Sequence, residues 1–209
     1  MTTYDYKIKK YLGEEIKDFI NPTILEFGVK EGRSTKLFLD LCEKKNGKLF
    51  SIDVDDYSNL FNNPRWKFIQ SRDDNFEFLE NKIPKQFDII YLDSLHEAKH
   101  VEKIFFLYYD KLKVNGFFFI DDISWLPYLS SEKKDNFYCE INNRETFEKI
   151  LSIYHANQEN FDLTFSFVSS GLCKILKKKN ELNKSLNIRT RQFTFKNFIR
   201  KILKLSKII

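Results

Sequence analysis

The chain has 209 residues, 42% of them hydrophobic and 31% charged, with a formal net charge of +5. That is enough for one domain with a substantial core, and the balance is that of a soluble globular protein. No apolar run approaches the roughly 20 residues needed to span a bilayer, and the opening MTTYDYKIKKYLGEE lacks the apolar segment of a signal peptide.

Cys42, Cys139 and Cys173 are far apart and form no CxxC pair. A disulfide framework or a zinc site is therefore not expected, and a cytoplasmic location is. The 22 Phe residues read as core filling. The charge is unevenly spread. Residues 174–209 hold 12 Lys/Arg against one acid, Glu181, for a net +11, which leaves −6 for the rest. A fold-wide basic surface for nucleic acid is not indicated.

In chain order, the first 20 residues read as a helix. TILEF (23–27) is a short buried strand. A helix starting at Ser34 carries Leu37, Phe38 and Leu41 on one face. KLFSID (48–53) and WKFIQ (66–70) are the second and third strands. Asp73 or Asp74 can cap a short helix holding Phe76 and Leu79. FDIIYLD (87–93) is the fourth strand, followed by a helix over about 96–112. Asn115-Gly116 reads as a turn before the fifth strand, 117–121, and a further helix covers about 144–154. FDLTFSFVS and GLCKILK follow, with only a short turn at Ser170-Gly171 between them, so they should pair antiparallel. The earlier strands are separated by helices and should be parallel. Five βα units and a closing hairpin predict a doubly wound α/β sheet of seven strands, mostly parallel with an antiparallel last strand. The domain should cover 1–179, with an N-terminal helix over 1–22 and the α/β core over 23–179. Residues 180–209 form a basic tail added to it.

In such sheets ligands bind beyond the carboxyl ends of the strands. Those ends carry Glu26-Phe27-Gly28, Asp53, Gln70-Ser71, Asp93 and Asp121-Asp122. The run FFFIDDISW is the sharpest case. Four buried apolar residues lead into two adjacent carboxylates, an arrangement that needs a compensating charge. In LEFGVKEGRST, Gly28 and Gly32 permit positive φ and a close ligand approach, and Ser34 can cap the helix whose N-terminus favours negative charge. The loop is ExGxxxG and not the dinucleotide GxGxxG. Glu26 would repel a pyrophosphate and suit an ammonium or sulfonium group. Asp53, 25 residues after Gly28, can accept both hydroxyls of a ribose. Asp73 and Asp74 stand where an adenine amino group could be read. His100 reads as an exposed helix residue.

LEFGVKEGRST, SIDVDD, FDIIYLDSLHEAKHVEKI and GFFFIDD together resemble the class I S-adenosylmethionine-dependent methyltransferases, over roughly 23–178. More narrowly they resemble the branch of metal-dependent O-methyltransferases of sugars and natural products. The resemblance implies a Rossmann-like fold and S-adenosylmethionine as cofactor, held by Glu26, Gly28, Gly32, Ser34, Asp53, Ser71, Asp74 and Asp93. It also implies a divalent cation on Asp93, Asp121 and Asp122. Three carboxylates make an all-oxygen site that suits Mg²⁺ or a similar ion. Asp93 and His96 are the expected catalytic pair, with His96 as candidate base; a helix cap or a partner of the metal ligands is its other reading. Some relatives place an Asp base and a Tyr where this chain has Leu95 and Ala98, a departure from the family mechanism.

The function expected is methyl transfer to a hydroxyl of a small molecule or sugar. The alternatives are a metal-independent methyltransferase, including one acting on nucleic acid, and a non-catalytic or NAD-type Rossmann-like binder. Trp125, Tyr128, Phe137 and Tyr138 are expected to shape the acceptor site. In FTFKNFIRKILKLSKII, apolar Phe195, Phe198, Ile199, Ile202, Leu205 and Ile209 alternate with basic residues as in a basic amphipathic helix. Its first reading is docking on its own domain or on a second copy in a homo-oligomer. An anionic membrane surface or an acidic partner is the second, and RNA the third.

Overall fold

A computed structural model describes residues 2–126, 137–189 and 195–205. The chain opens with helix α1 (Thr3–Lys7), a π-helical turn (Ile8–Gly13) and α2 (Glu14–Ile16). β1 (Thr23–Phe27), α3 (Arg33–Lys45), β2 (Lys48–Asp53), β3 (Trp66–Gln70), α4 (Phe76–Glu80), β4 (Phe87–Leu92), α5 (Ala98–Tyr108) and β5 (Leu112–Asp121) follow. α6 (Phe137–Ala156), β6 (Phe161–Ser166), β7 (Leu172–Lys177) and α7 (Phe195–Leu205) complete the described chain.

The seven strands form one sheet in the order β3-β2-β1-β4-β5-β7-β6. β1 to β5 pair in parallel, and β7 runs antiparallel to both β5 and β6. The predicted α/β sheet with an antiparallel final strand is therefore the one observed. Parallel strands buried on both faces need apolar side chains at most positions, which is why TILEF and FDIIYL are largely apolar, with Thr23, Glu26 and Asp88 the exceptions. Their side chains alternate between two layers. Ile24, Ile89, Tyr91 and Phe119 pack with Phe38, Leu39 and Cys42 of α3 and with Ile8, Leu12 and Ile16 of the N-terminal segment. Leu25, Phe27, Ile90, Leu92 and Phe118 face the opposite layer, with Leu79 of α4, Val101, Ile104 and Phe105 of α5 and Ile150 of α6. Each large side chain so buried contributes about 1.5–3 kcal/mol.

Several elements differ from expectation for identifiable reasons. β5 starts at Leu112, and Asn115-Gly116 lies inside it. The register shifts between Phe87 and Ile89, and Asn115 takes φ 66°, so a bulge absorbs what reads as a turn. Gly32, not Ser34, is the N-cap of α3, and Asn75 precedes α4 in place of Asp73 or Asp74. α5 begins two residues later than expected, after Glu97 in extended backbone, and ends at Tyr108. α6 is longer than the span 144–154 and includes Phe137 and Tyr138 at its start, while Tyr128 lies outside the described residues. Cys42 and Cys173 are buried free thiols. Among the described residues no helix is long and apolar enough to cross a membrane.

Candidate active site

The two-residue period of the strands decides which carboxylates meet. Glu26 continues the Ile24 face of β1, Asp93 the Tyr91 face of β4 and Asp121 the Phe119 face of β5. All three acids are aimed at the layer built by α1, α2 and α3.

Glu26 is fully buried. Its carboxylate accepts hydrogen bonds from Ser34 Oγ (2.6 Å), Thr35 Oγ1 (2.8 Å) and Ser51 Oγ (2.6 Å). Burial pushes its pKa up to about 7, against the opposing pull of the three hydroxyls. The expectation that Glu26 faces a cationic ligand is therefore corrected. It clamps β1 to β2 and to the first turn of α3, and Ser34 serves that clamp in place of a cap.

Above it, Gly28 turns the chain at φ 90°. A Cβ there would lie 2.0 Å from the carbonyl oxygen of Asp93, so only glycine lets the ends of β1 and β4 close up. Gly32, at φ 71°, lies against Leu60 and Phe61. Asp53 Oδ2 accepts the backbone N–H of Val29 at 2.7 Å and Oδ1 that of Asp55 at 3.1 Å, fixing the shape of the glycine loop from the end of β2.

Asp93, His96 and Asp122 converge next to this loop. His96 Nε2 lies 3.5 Å from Asp93 Oδ1 and 3.3 Å from Asp122 Oδ2, and one donor atom from each residue falls within 4.8 Å of the others. Asp122 has φ 57°, the left-handed conformation that Asp tolerates better than most residues. That turn breaks the strand alternation and swings Asp122 away from the direction of Asp121. The cluster lines a cavity of about 650 Å³ together with Tyr4, Gly28, Ser34, Ser94 and Ser170. Burial, and then the charges of Asp121 and Asp122, push the Asp93 pKa well above the ordinary carboxylate range, while Lys7 opposes them.

Asp121 does not join this cluster. It is buried beneath it, paired with the buried Lys7 ammonium and accepting the Tyr91 hydroxyl at 2.6 Å. The charge conflict in FFFIDD is resolved by a lysine 114 residues away for one acid and by separation for the other. Tyr4 and Tyr91 hydroxyls also reach Asp93, at 3.3 and 3.2 Å.

The end of β3 is tied elsewhere. Asp74 is held by Arg72 and Lys103, both at 2.9 Å, which keep its carboxyl well below the usual range. Ser71 Oγ donates to the Arg72 carbonyl. Asp73 accepts Ser94 Oγ (2.5 Å) and His100 Nε2 (2.8 Å). His100 is thus buried, contrary to its expected exposure. It precedes Ile104 and Tyr108 by one and two helical turns, and that spacing marks it as facing inward. Asp53, Ser71 and Asp74 flank the cavity's loops without lining it.

This geometry can be set beside known proteins. Residues 25–123 match a family described as methyltransferase domain, the span from β1 through the Asp121-Asp122 pair. That match covers 99 of the 209 residues, just under half of the chain. Among solved structures, the MycE methyltransferase of the mycinamycin biosynthetic pathway, in complex with Mg and S-adenosylhomocysteine, has a TM-score of 0.64 at 20% identity over 88% of this chain and 52% of MycE. The same enzyme with mycinamycin VI bound gives 0.61 at 22%, over 88% and 52%. S-adenosylhomocysteine-bound PaMTH1 of Podospora anserina gives 0.61 at 15%, over 81% and 77%. The chain thus spans about half the length of MycE, and at these identities the likeness is one of fold. No curated protein sequence matches significantly.

Sequence reasoning missed Lys7, Tyr4, Tyr91 and Ser170. Tyr91 carried a faint signal, as a phenol beside the aliphatic Ile89, Ile90 and Leu92 and two residues before Asp93. Lys7 carried none beyond its place on an amphipathic first turn.

Proposed function

We propose that this domain transfers the methyl group of S-adenosylmethionine to a hydroxyl of a small molecule or sugar, assisted by a divalent cation. The observation that carries the reading is the convergence of Asp93, His96 and Asp122 beside the glycine loop, with donor atoms no more than 4.8 Å apart. Separations of 3.3 and 3.5 Å between donors are those of neighbouring ligands about one cation, and two carboxylates with one imidazole suit Mg²⁺ or Mn²⁺ better than a thiophilic metal. The ligand set is then Asp93, His96 and Asp122, with Asp121 replaced by the histidine.

The cofactor takes the cavity wall at Gly28 and Ser34, where the loop backbone is open to it. Asp53 holds that loop in shape and keeps free lone pairs for ribose hydroxyls. Because the methyl on a sulfonium is already activated, the residues mainly position it and exclude water. When bound, the cation orients the acceptor oxygen and lowers its pKa. Mg and S-adenosylhomocysteine in the MycE structure support the pairing of cofactor and metal at such a site.

A metal-independent reading is favoured by one observation. The same 3.3 and 3.5 Å contacts hold an imidazole between two carboxylates, which would orient His96 as a general base. Calorimetric titration of S-adenosylhomocysteine in chelator and then in Mg²⁺ separates the two. Micromolar binding in chelator with further heat on adding Mg²⁺ supports the metal reading. Cofactor binding with no response to Mg²⁺ or Mn²⁺ leaves the His96 base. No binding in either buffer removes the methyltransferase activity.

A further inference from the structure

α7 plays no part in the site described above, and its surface has a chemistry of its own. Phe195, Phe198, Ile199 and Ile202 stand at helical positions i, i+3, i+4 and i+7, and so on one face. They are 78%, 60%, 41% and 49% exposed, among the most exposed large apolar side chains described. Lys196, Arg200 and Lys204 occupy the other side of the helix and are exposed as well. The helix contains no acid, and residues 180–209 hold eight Lys/Arg against Glu181 alone.

We propose that α7 is an interfacial anchor that lays this domain on an anionic bilayer surface. Eleven residues make a helix of about 16 Å, half the thickness of a hydrocarbon core, so the helix can lie in the interface but cannot cross it. Two phenylalanines and two isoleucines on one side, with cations on the other, form the pattern that sinks an apolar face between headgroups while lysine and arginine meet lipid phosphates. Two other occupants fit less well. RNA would use the cations but give the apolar face nothing comparable to bury it. A second copy of this chain offers an acidic body, but its other exposed large apolar side chains, such as Ile20, Val54, Phe78 and Val114, come singly from separate segments. The proposal is independent of the catalytic reading.

The test is co-sedimentation of the full chain with vesicles of phosphatidylcholine alone and of phosphatidylcholine mixed with phosphatidylglycerol. Binding to the mixed vesicles is expected to be at least about tenfold tighter than to the neutral ones and to weaken with added salt. Phe195→Ser combined with Phe198→Ser, and separately Lys196→Glu combined with Arg200→Glu and Lys204→Glu, should each lower binding about tenfold or more while leaving the thermal midpoint unchanged. No binding, equal binding to both vesicles, or wild-type binding by either variant overturns the proposal. So does a lipid-free dimer that the Phe195 and Phe198 replacements dissolve, which would assign the face to a second copy. RNA binding that survives those replacements, without vesicle binding, would assign it to nucleic acid.

Discussion

Lys7 and Asp121 form a buried ion pair between the first helix and the end of β5, with neither side chain reaching solvent. Lys7 Nζ also donates to Ser170 Oγ at 2.7 Å, so the pair ties the N-terminal segment to the turn between β6 and β7. A buried pair of this kind is costly to break from one side, because the remaining charge has no partner. Lys7→Met should lower the unfolding free energy by about 3–5 kcal/mol, and adding Asp121→Asn should recover a large part of the loss. Denaturant unfolding of the two single variants and the double variant measures this. Strict additivity would mean that the ion pair does not couple the two segments.

Asp122 offers a cleaner probe of the proposed metal. Its left-handed φ of 57° suits asparagine as well as aspartate, so Asp122→Asn should fold normally. The replacement removes one of the two negative charges in the cluster. Mg²⁺ or Mn²⁺ affinity should fall at least about tenfold, while S-adenosylhomocysteine affinity stays within about twofold. Calorimetry with each ligand reads both. A matching loss of cofactor affinity would place Asp122 against the cofactor instead.

How far these residues were legible depends on the distance over which each acts. The strand ends Glu26, Asp53, Asp93 and Asp121 were readable because buried parallel strands are mostly apolar and polar residues at their carboxyl ends stand out, but which of them face the cavity was not, since Glu26 and Asp121 turn to buried partners. His96 was readable for the same reason, three residues beyond Asp93. The partner of Asp121 was not. Lys7 lies 114 residues earlier, and only the docking of the N-terminal helices brings them together. Without that partner, two adjacent acids in sequence read as two ligands of one ion. The inward-facing His100 was within reach, since Ile104 and Tyr108 follow it at one and two turns of α5, but its acceptor on the loop after β3 was not. Asn115-Gly116 shows the converse limit, since a dipeptide typical of turns is also what a bulge at positive φ requires.

Gly28→Ala tests whether the closeness of β1 and β4 matters for the cofactor. A methyl group would sit 2.0 Å from the Asp93 carbonyl oxygen and 3.2 Å from the Ser94 nitrogen, both backbone atoms, on a residue at φ 90°. Relief requires the loop to move away from β4. The variant should lose about 2–3 kcal/mol of stability and at least about tenfold in S-adenosylhomocysteine affinity. Thermal unfolding and calorimetry on the same sample provide the check. Wild-type affinity in a destabilised protein would mean that the loop backbone does not contact the cofactor.

Glu26 predicts a pH dependence with a definite sign. Its folded pKa of about 7 lies above the ordinary 4.5, so the folded state holds a proton that the unfolded state releases between those values. The contribution of protonated Glu26 is fully present below about pH 4.5 and is lost as pH rises through 7. In a fully buried group that difference amounts to roughly 3 kcal/mol. Glu26→Gln keeps the shape and cannot ionise. Wild type should therefore be more stable relative to this variant at pH 5 than at pH 8.5, by about 1–3 kcal/mol, with most of the change between pH 5 and 7.5. Denaturant midpoints of both proteins across that range give the difference directly. A difference that does not vary with pH would show that the three hydroxyls of Ser34, Thr35 and Ser51 hold the carboxylate ionised throughout, and Glu26 would then bring a resident negative charge to the base of the cofactor loop.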